Sequence, residues 1–407
     1  MGKLRELEGI IREVLEVSRL EGLDFYPLHF TRCSLETMCS LGAMGAVKRF
    51  FHWSFGQDYH RIRLYHSLRL GKIYELVFFS NPCLAFLLES NSPLENKLVV
   101  AHVAAHSDFF KNNVSFSSCP QDMLHLMALH ADRIKLFEEE FGYHQVEILL
   151  DALIALKAYV DPGDPFLEKD VQPPTRDILG FLCRKSPKLE DWQREVLLMG
   201  RREMIYFWPL METKIINEGW ATYWHTRILR EMDLSEEESI DFACLQGDIL
   251  KPFEREVNPY LLGYALFLDI ERLWGREKIF EVRALERDVS FLSNYLTPEL
   301  VERLDLYIYK KIGLEWMVVE KEGKKVKEAL IRQLTNCGFP YIVLEDDNYR
   351  EGLYLRHYHD GRDLDSKPLE GALELLHFLW GGPVYLETVR EGKRAIFFCD
   401  GKRVGVL

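Results

Sequence analysis

Two histidines one helical turn apart are the residues of this sequence with the clearest capacity for chemistry. His102 and His106 lie in the run KLVVAHVAAHSDFFKNN (97–113), where apolar residues separate them. Side chains spaced four residues apart project from the same face of a helix, so the two imidazoles can bind one metal ion. The metallopeptidase form of this spacing, H-E-x-x-H, carries a glutamate as general base after the first histidine, and Val103 occupies that place here.

A third ligand must then come from a distant helix, and the best candidate lies in NEGWATYWH (217–225). This run contains Glu218 and, seven residues later, His225, so both side chains share one helix face. Two histidines and a carboxylate suit Zn²⁺ or Fe²⁺ and leave positions open for water or substrate. A glutamate before Gly-Trp-Ala is similar to the third ligand of several helical metallopeptidases. We therefore predict one divalent metal bound by His102, His106 and Glu218.

The role of such a site depends on a proton acceptor, because Val103 cannot serve as one. Asp108, Glu203 and His225 are the candidate catalytic groups for proton transfer or support of the ligands. The alternative is a metal-free network in which buried histidines and carboxylates satisfy one another and fix helix packing. A metal-dependent hydrolase and a non-enzymatic scaffold therefore both remain open at this point.

A second histidine-containing segment is FHWSFGQDYHRIRLYH (51–66), which interleaves aromatic rings with Arg61 and Arg63. Aromatic faces beside guanidinium groups suit a sugar or peptide ligand. The competing interpretation is an aromatic-rich turn and strand that packs on the helices.

The charge, the motifs and the cysteines of the sequence disfavour several classes of function. The net charge of −13, from 64 acidic and 51 basic residues, disfavours binding to nucleic acid. The sequence has no P-loop, no G-x-G-x-x-G and no G-x-S-x-G, which disfavours a nucleotide cofactor and a serine hydrolase. Eight cysteines without a C-x-x-C pair indicate free thiols in a reducing compartment. We expect a cytoplasmic protein without a signal peptide or transmembrane segment.

Hydrophobic periodicity predicts an α+β protein in two domains. Residues 1–312 are predicted to form a mainly helical domain, which we expect to resemble helical zinc metallopeptidases, with a proline-rich linker at 160–177 that holds four prolines. Residues 313–407 follow the order α-β-β-α-β-β, which is typical of a small domain with an antiparallel sheet. Within the large domain, residues 72–92 begin like a strand, turn at Asn81-Pro82 and are expected to continue as a short apolar helix.

The sequence also resembles the stage V sporulation protein R family over nearly its whole length. The matching stretches occur in one order and are GLDFYP, RFFHWSFG, KIYELVFFSNPC, NKLVVAHVAAHSDFFKNN, ADRIK, LEDWQREVL, YFWPLMETKIINEGWATYWH, NPYLLGYALFLDIER and GFPYIVLEDDNYREGLYLRHYHDGRDLD.

This resemblance implies a role in forming the spore cortex, the modified peptidoglycan layer of endospores. Family members in bacteria that make no spores imply a wider cytoplasmic, stress-linked role. The resemblance also implies possible partners, namely cortex-assembly proteins, a serine protein kinase and a von Willebrand-type protein. It supplies no catalytic residues, so the proposed ligands rest on the residue pattern alone.

Overall fold

The structure is a computed structural model that describes residues 2–67, 75–164, 167, 171–313 and 315–407. Its α-helices are α1 (Gly2–Leu20), α2 (Leu35–Met44), α3 (Trp53–Ser67), α4 (Pro93–Asn112), α5 (Met123–Phe141), α6 (Tyr143–Ala155), α7 (Ile178–Lys185), α8 (Asp191–Glu212), α9 (Lys214–Glu231), α10 (Glu236–Ile249), α11 (Pro259–Trp274), α12 (Arg276–Leu285), α13 (Asp288–Tyr295), α14 (Pro298–Arg303), α15 (Gly323–Leu334) and α16 (Ser366–Trp380). Its strands are β1 (Leu28–Cys33), β2 (Glu75–Phe78), β3 (Cys83–Leu88), β4 (Ile308–Ile312), β5 (Glu315–Glu320), β6 (Ile342–Tyr349), β7 (Gly352–His357), β8 (Val384–Arg390), β9 (Lys393–Cys399) and β10 (Val404–Val406). The predicted α+β class is confirmed.

The residues form two compact units, each built from separate stretches of chain. The first unit contains Met1–Val47, Ser54–Asp122 and Leu210–Leu334, and the second contains Lys48–Trp53, Met123–Pro209 and Thr335–Leu407. These boundaries differ from the sequence-based division at residues 312 and 313, which stays a prediction about domains. The hairpin β4–β5 was not anticipated by the sequence pattern.

A small sheet of the first unit lies next to the helix that carries the histidine pair. The strand order is β1-β3-β2, with β1 parallel and β2 antiparallel to β3. The expected apolar helix after Asn81-Pro82 is wrong, because residues 83–88 form the central strand β3. The periodicity of a short apolar run does not distinguish a buried strand from a buried helix. Here the pairing of β3 with β1 on one edge and with β2 on the other shows that the run is a strand.

Local sequence signals determine where helix α4, which carries both histidines, begins, and burial along its length fixes its position in the first unit. Ser92 caps the helix in a reciprocal capping box with Glu95, and Pro93 occupies the first turn. Every residue from 98 to 110 is buried, because α1, α9, α12 and the small sheet all contact this helix. The imidazoles of His102 and His106 are therefore held inside the first unit.

Helix α9, which carries Glu218, crosses α11 at backbone contact. A Cβ atom placed on Gly219 would lie 2.4 Å from the Cα atom of Gly263, which no real structure tolerates. Two glycines are required at this crossing because any side chain would force the helices apart. The close approach places the N-terminal half of α11 beside Glu218.

The second unit contains the antiparallel-rich sheet predicted for the C-terminal part of the chain. Its strand order is β10-β9-β8-β7-β6, with β7 parallel to β8 across helix α16. The element order α15, β6, β7, α16, β8, β9 along the chain confirms the predicted α-β-β-α-β-β succession, in which α15 belongs to the first unit and the other five elements to the second. In the described part of residues 160–177, no helix or strand is present apart from a bridge between Thr175 and Leu344.

A further expectation needs correction, because residues 53–67 form helix α3 and not a turn and strand. Aromatic residues favour strands only weakly, and tertiary contacts override that preference. Helix α8 contains Pro209 and ends at Glu212.

Replacing Gly219 with alanine should destabilise the protein by about 1–3 kcal/mol, because the new methyl group overlaps the α11 backbone. Gly247→Ala is the matched control, since a Cβ atom there meets nothing within 4 Å and alanine favours an exposed helix by up to about 1 kcal/mol. Chemical denaturation of both variants measures the difference. Equal stability of the two variants would contradict the described crossing.

Candidate metal centre

Helices α4 and α9 bring the three predicted ligands together. The Nε2 atoms of His102 and His106 each lie 3.5 Å from Oε2 of Glu218. The three donor atoms lie within 4.8 Å of one another, and among the residues that the structure describes no other group of three His, Cys, Asp or Glu side chains meets this spacing. The long-range convergence expected from the sequence is therefore present.

The separation of these atoms fits ligands of one ion better than hydrogen-bonded partners. Glu218 Oε2 is buried and has no hydrogen-bond partner, and 3.5 Å to either imidazole exceeds the usual length of an N–H···O bond. Ligands about 2.1 Å from a tetrahedral ion lie about 3.4 Å apart. The donor set is thus compatible with a divalent cation such as Zn²⁺ or Fe²⁺.

Each imidazole has a hydrogen-bond partner on the nitrogen that faces away from Glu218. His106 Nδ1 lies 2.9 Å from Oδ1 of Asn217, and His102 Nδ1 lies 2.9 Å from Nδ1 of His225. Hydrogen bonds on this nitrogen orient metal-binding histidines and direct Nε2 toward the ion. Asn217 is an unpredicted member of the site, and it directly precedes Glu218 in α9.

Two more side chains of the site were missed by sequence reasoning. Glu75, the first residue of the edge strand β2, has Oε1 at 3.9 Å from His102 Nε2. Tyr260 of α11 stacks on the His102 ring, with 6.1 Å between the ring centres. A glutamate opening an apolar strand is unusual inside a protein and was the available signal for Glu75, whereas Tyr260 follows no recognisable pattern.

Electrostatics at the site favour an anionic Glu218. Burial alone would raise the pKa of Glu218, but the facing imidazoles of His102 and His106 outweigh it and hold that pKa below its ordinary value. Burial lowers the pKa of His106, and the Glu218 carboxylate more than offsets this, so the pKa is raised. Burial raises the pKa of Glu75. The negative charge of Glu218 raises the pKa of the Tyr260 phenol.

His225, one of the predicted catalytic groups, lies beside the ligands. It contacts His102 through Nδ1, and its Nε2 lies 2.8 Å from Oε1 of Gln246. Burial and the neighbouring His102 lower the pKa of His225 to about 3, so this imidazole is neutral. His225 is therefore placed to orient the His102 ring through the contact between their Nδ1 atoms.

Asp108 lies in a different hydrogen-bonded cluster of the first unit. Its Oδ2 accepts from Trp220 Nε1 at 2.9 Å and from Arg283 at 3.0 Å, and its Oδ1 accepts from the backbone N–H of Asp24 at 2.7 Å. Burial raises the pKa of Asp108 to about 6 against the opposing effect of Arg283. None of the recorded partners of Asp108 is a predicted metal ligand.

Glu203 belongs to the second unit, where Arg49 lies 2.6 Å and His130 lies 3.1 Å from its carboxylate oxygens.

The histidine-containing segment 51–66 makes its own local contacts. His52 and the Trp53 indole bond to Asp151, and Arg61 bonds to Asp58 on the same helix.

Comparison with known proteins assigns the family. The family model described as SpoVR like protein matches residues 2–173 and 163–339, and the model of the SpoVR-like C-terminal domain matches residues 343–391. The chain belongs to the SpoVR-like family. This confirms the resemblance found in the sequence, and the family name associates the chain with sporulation.

A member of the SpoVR-like family from Escherichia coli (strain K12), the uncharacterized protein YcgB, is 28% identical over 474 residues, covering 95% of this chain and 92% of its own. No solved structure matches the chain. Among the helices that the structure describes, none combines the length and apolar character that crossing a membrane requires.

Purified protein reconstituted with Zn²⁺ or Fe²⁺ should hold about one ion per chain, because three ligands converge on one point. His102→Ala and Glu218→Gln should lose the ion on gel filtration, and elemental analysis measures the content. His125→Ala, which removes an exposed histidine, is the control and should retain it. Wild-type protein that takes up neither ion would disprove the proposed centre.

The metal-free protein should become less stable as the pH rises above 6.5, the ordinary pKa of histidine. The raised pKa of His106 means that its charged form stabilises the fold fully below 6.5, and this contribution is lost as the pH passes the higher folded-state value. Denaturation midpoints between pH 6 and 8 measure the effect. His106→Gln should lack this component, and identical profiles for both proteins would contradict it.

Proposed function

We propose that this SpoVR-like protein is a metal-dependent hydrolase that acts on a peptide or a peptidoglycan precursor. The supporting observation is the Glu218 Oε2 atom, which is buried without a hydrogen-bond partner at equal distances from two imidazole nitrogens. A buried carboxylate oxygen is seldom left unpaired, because this costs about 1–3 kcal/mol or more. A cation shared with the two histidines would remove that cost.

The chain's own residues supply what a hydrolytic site needs besides the ion. A bound divalent cation contributes Lewis acidity toward a carbonyl group or a water molecule. Glu75 provides a carboxylate next to His102 that can accept a proton at Oε1, the role for which Val103 is unsuited. Tyr260 holds the His102 ring by stacking on it.

Substrate access is expected from the carboxylate side of the site. The side chains of Glu75 and Glu218 are 19% and 21% exposed, whereas those of His102 and His106 are 5% and 9% exposed. A reacting bond would therefore approach along the partly exposed side chains of Glu75 and Glu218, with the imidazoles behind them.

The biological setting of this proposal comes from the family. We propose that the reaction serves spore cortex formation in the cytoplasm, with cortex-assembly proteins, a serine protein kinase and a von Willebrand-type protein as partners. Residues 313–407 would then dock or regulate those partners.

The second candidate is a non-enzymatic scaffold or regulator in which His102, His106 and Glu218 form a metal-free core network. The raised pKa of His106 favours it, because a protonated imidazole can neutralise Glu218 without an ion. The relative from Escherichia coli, a bacterium without endospores, favours a role that is not confined to sporulation.

Glu218→Gln separates the two candidates. As a ligand change it should abolish metal binding while the metal-free fold keeps its melting temperature at a pH above the folded-state pKa of His106, where the charged imidazole no longer contributes. As the loss of one partner from a buried charge network it should destabilise the protein by about 3–5 kcal/mol. Calorimetry on metal-free samples of both proteins decides between these results.

Glu75→Gln should retain the metal but lose hydrolysis, because the amide cannot accept a proton. The assay incubates Zn²⁺- or Fe²⁺-loaded protein with a mixture of peptidoglycan stem peptides and follows cleavage by mass spectrometry. Glu89→Gln, an exposed glutamate that follows β3 of the same sheet, is the control and should cleave normally. Undiminished cleavage by Glu75→Gln would exclude this residue as the base.

A further inference from the structure

A chain of hydrogen bonds connects His102 to helix α10. The Thr226 hydroxyl donates to the backbone carbonyl of Thr222 at 2.7 Å, and Gln246 Nε2 donates to Thr226 Oγ1 at 2.8 Å. The His225 imidazole connects Gln246 Oε1, at 2.8 Å, to His102 Nδ1, at 2.9 Å. Three helices, α9, α10 and α4, contribute to this series.

The donor and the acceptor of every hydrogen bond in the series follow from the first bond, which joins the Thr226 hydroxyl to the Thr222 carbonyl. A carbonyl oxygen only accepts, so the Thr226 hydroxyl uses its one hydrogen there and must accept from the amide NH₂ of Gln246. The amide oxygen of Gln246 therefore faces His225 and accepts from its Nε2–H. This fixes the orientation of the Gln246 amide, which geometry at this single contact would leave ambiguous.

The same reasoning determines which nitrogen of His102 carries hydrogen. His225 is fully buried, where a single ring hydrogen is favoured over a charged imidazole, and the acceptor Oε1 of Gln246 at 2.8 Å places that hydrogen on Nε2. Its Nδ1 is then a bare lone pair that accepts from His102 Nδ1–H. His102 Nε2 is left with a free lone pair pointing at Glu218, as metal binding requires.

We infer that Gln246 and His225 are positioning residues that hold His102 in the tautomer competent to bind a metal. The inference rests on the proposed metal centre, for which it adds residues outside the ligand set. His106 is oriented by a different contact, because Asn217 Oδ1 lies 2.9 Å from its Nδ1 without any residue between them. The two imidazoles are thus oriented independently, and a change in α10 should affect only His102.

Helix α10 makes this dependence testable, since Phe242 is its one buried residue and Gln246 lies one turn further on. Gln246→Met keeps the length of the side chain but removes the acceptor, so His225 can move its hydrogen to Nδ1 and reverse the bond to His102. Gln246→Glu keeps an acceptor for His225 Nε2–H and should preserve the direction. Asp248→Asn, at an exposed position of the same helix, is the control.

The experiment has two readouts on the full chain. In metal-free protein, ¹⁵N shifts of the imidazoles should show hydrogen on Nδ1 of His102 and Nε2 of His225 in the wild type, Gln246→Glu and Asp248→Asn, with the reverse in Gln246→Met. Titration with Co²⁺ or Zn²⁺ should show affinity about 10- to 100-fold weaker in Gln246→Met alone.

Each result has one meaning. Absence of hydrogen from Nδ1 of His102 in the wild type, or unchanged affinity in Gln246→Met, overturns the inference while the metal centre stands. The inferred tautomers in a wild type that binds neither ion support the hydrogen-bond order and refute the proposed function instead.

Discussion

The burial of the Glu218 carboxylate between two imidazoles is the interaction on which the candidate centre depends. A carboxylate removed from water is stable only if positive charge or hydrogen-bond donors surround it. Here the facing groups are nitrogen atoms of His102 and His106, each directed by a partner behind it. The anion and the two lone pairs together require a cation, which is either a proton on an imidazole or a metal ion. The charge of the buried Glu218 carboxylate therefore favours either protonation of an imidazole or binding of a metal ion at the same place.

Packing places these groups through two features of the helices. Helix α4 is buried along most of its length, so its imidazoles cannot turn toward solvent. Helix α9 reaches them because Gly219 and Gly263 allow it to touch α11 directly. The same crossing places Tyr260 against the ring of His102. Glycine spacing in the sequence thus controls the geometry of a site whose ligands are charged or polar.

The helical body, the C-terminal element order and the grouping of His102, His106 and Glu218 could be predicted because the residues involved stand out in their local sequence. The spacing of His102 and His106 fixes their common face, and Glu218 stands out in an apolar and aromatic run. The apolar strand around Glu75 marks this residue as unusual, but its approach to His102 could not be predicted, since it depends on how β2 pairs at a sheet edge. The ion pair of Asp108 with Arg283 could not be predicted, because the two residues are far apart in the sequence. Buried charges have partners that sequence distance does not reveal.

The nearby Glu75 has a consequence for the kind of ion and ligand that the centre accepts. Two neutral imidazoles and two carboxylates carry two negative charges, so a divalent ion would make the whole assembly electroneutral. A trivalent ion would leave an uncompensated charge in a poorly solvated place, which disfavours the oxidised state of iron. Because the occupied centre itself would add no net charge, its own contribution to substrate selection would come from shape and polar contacts.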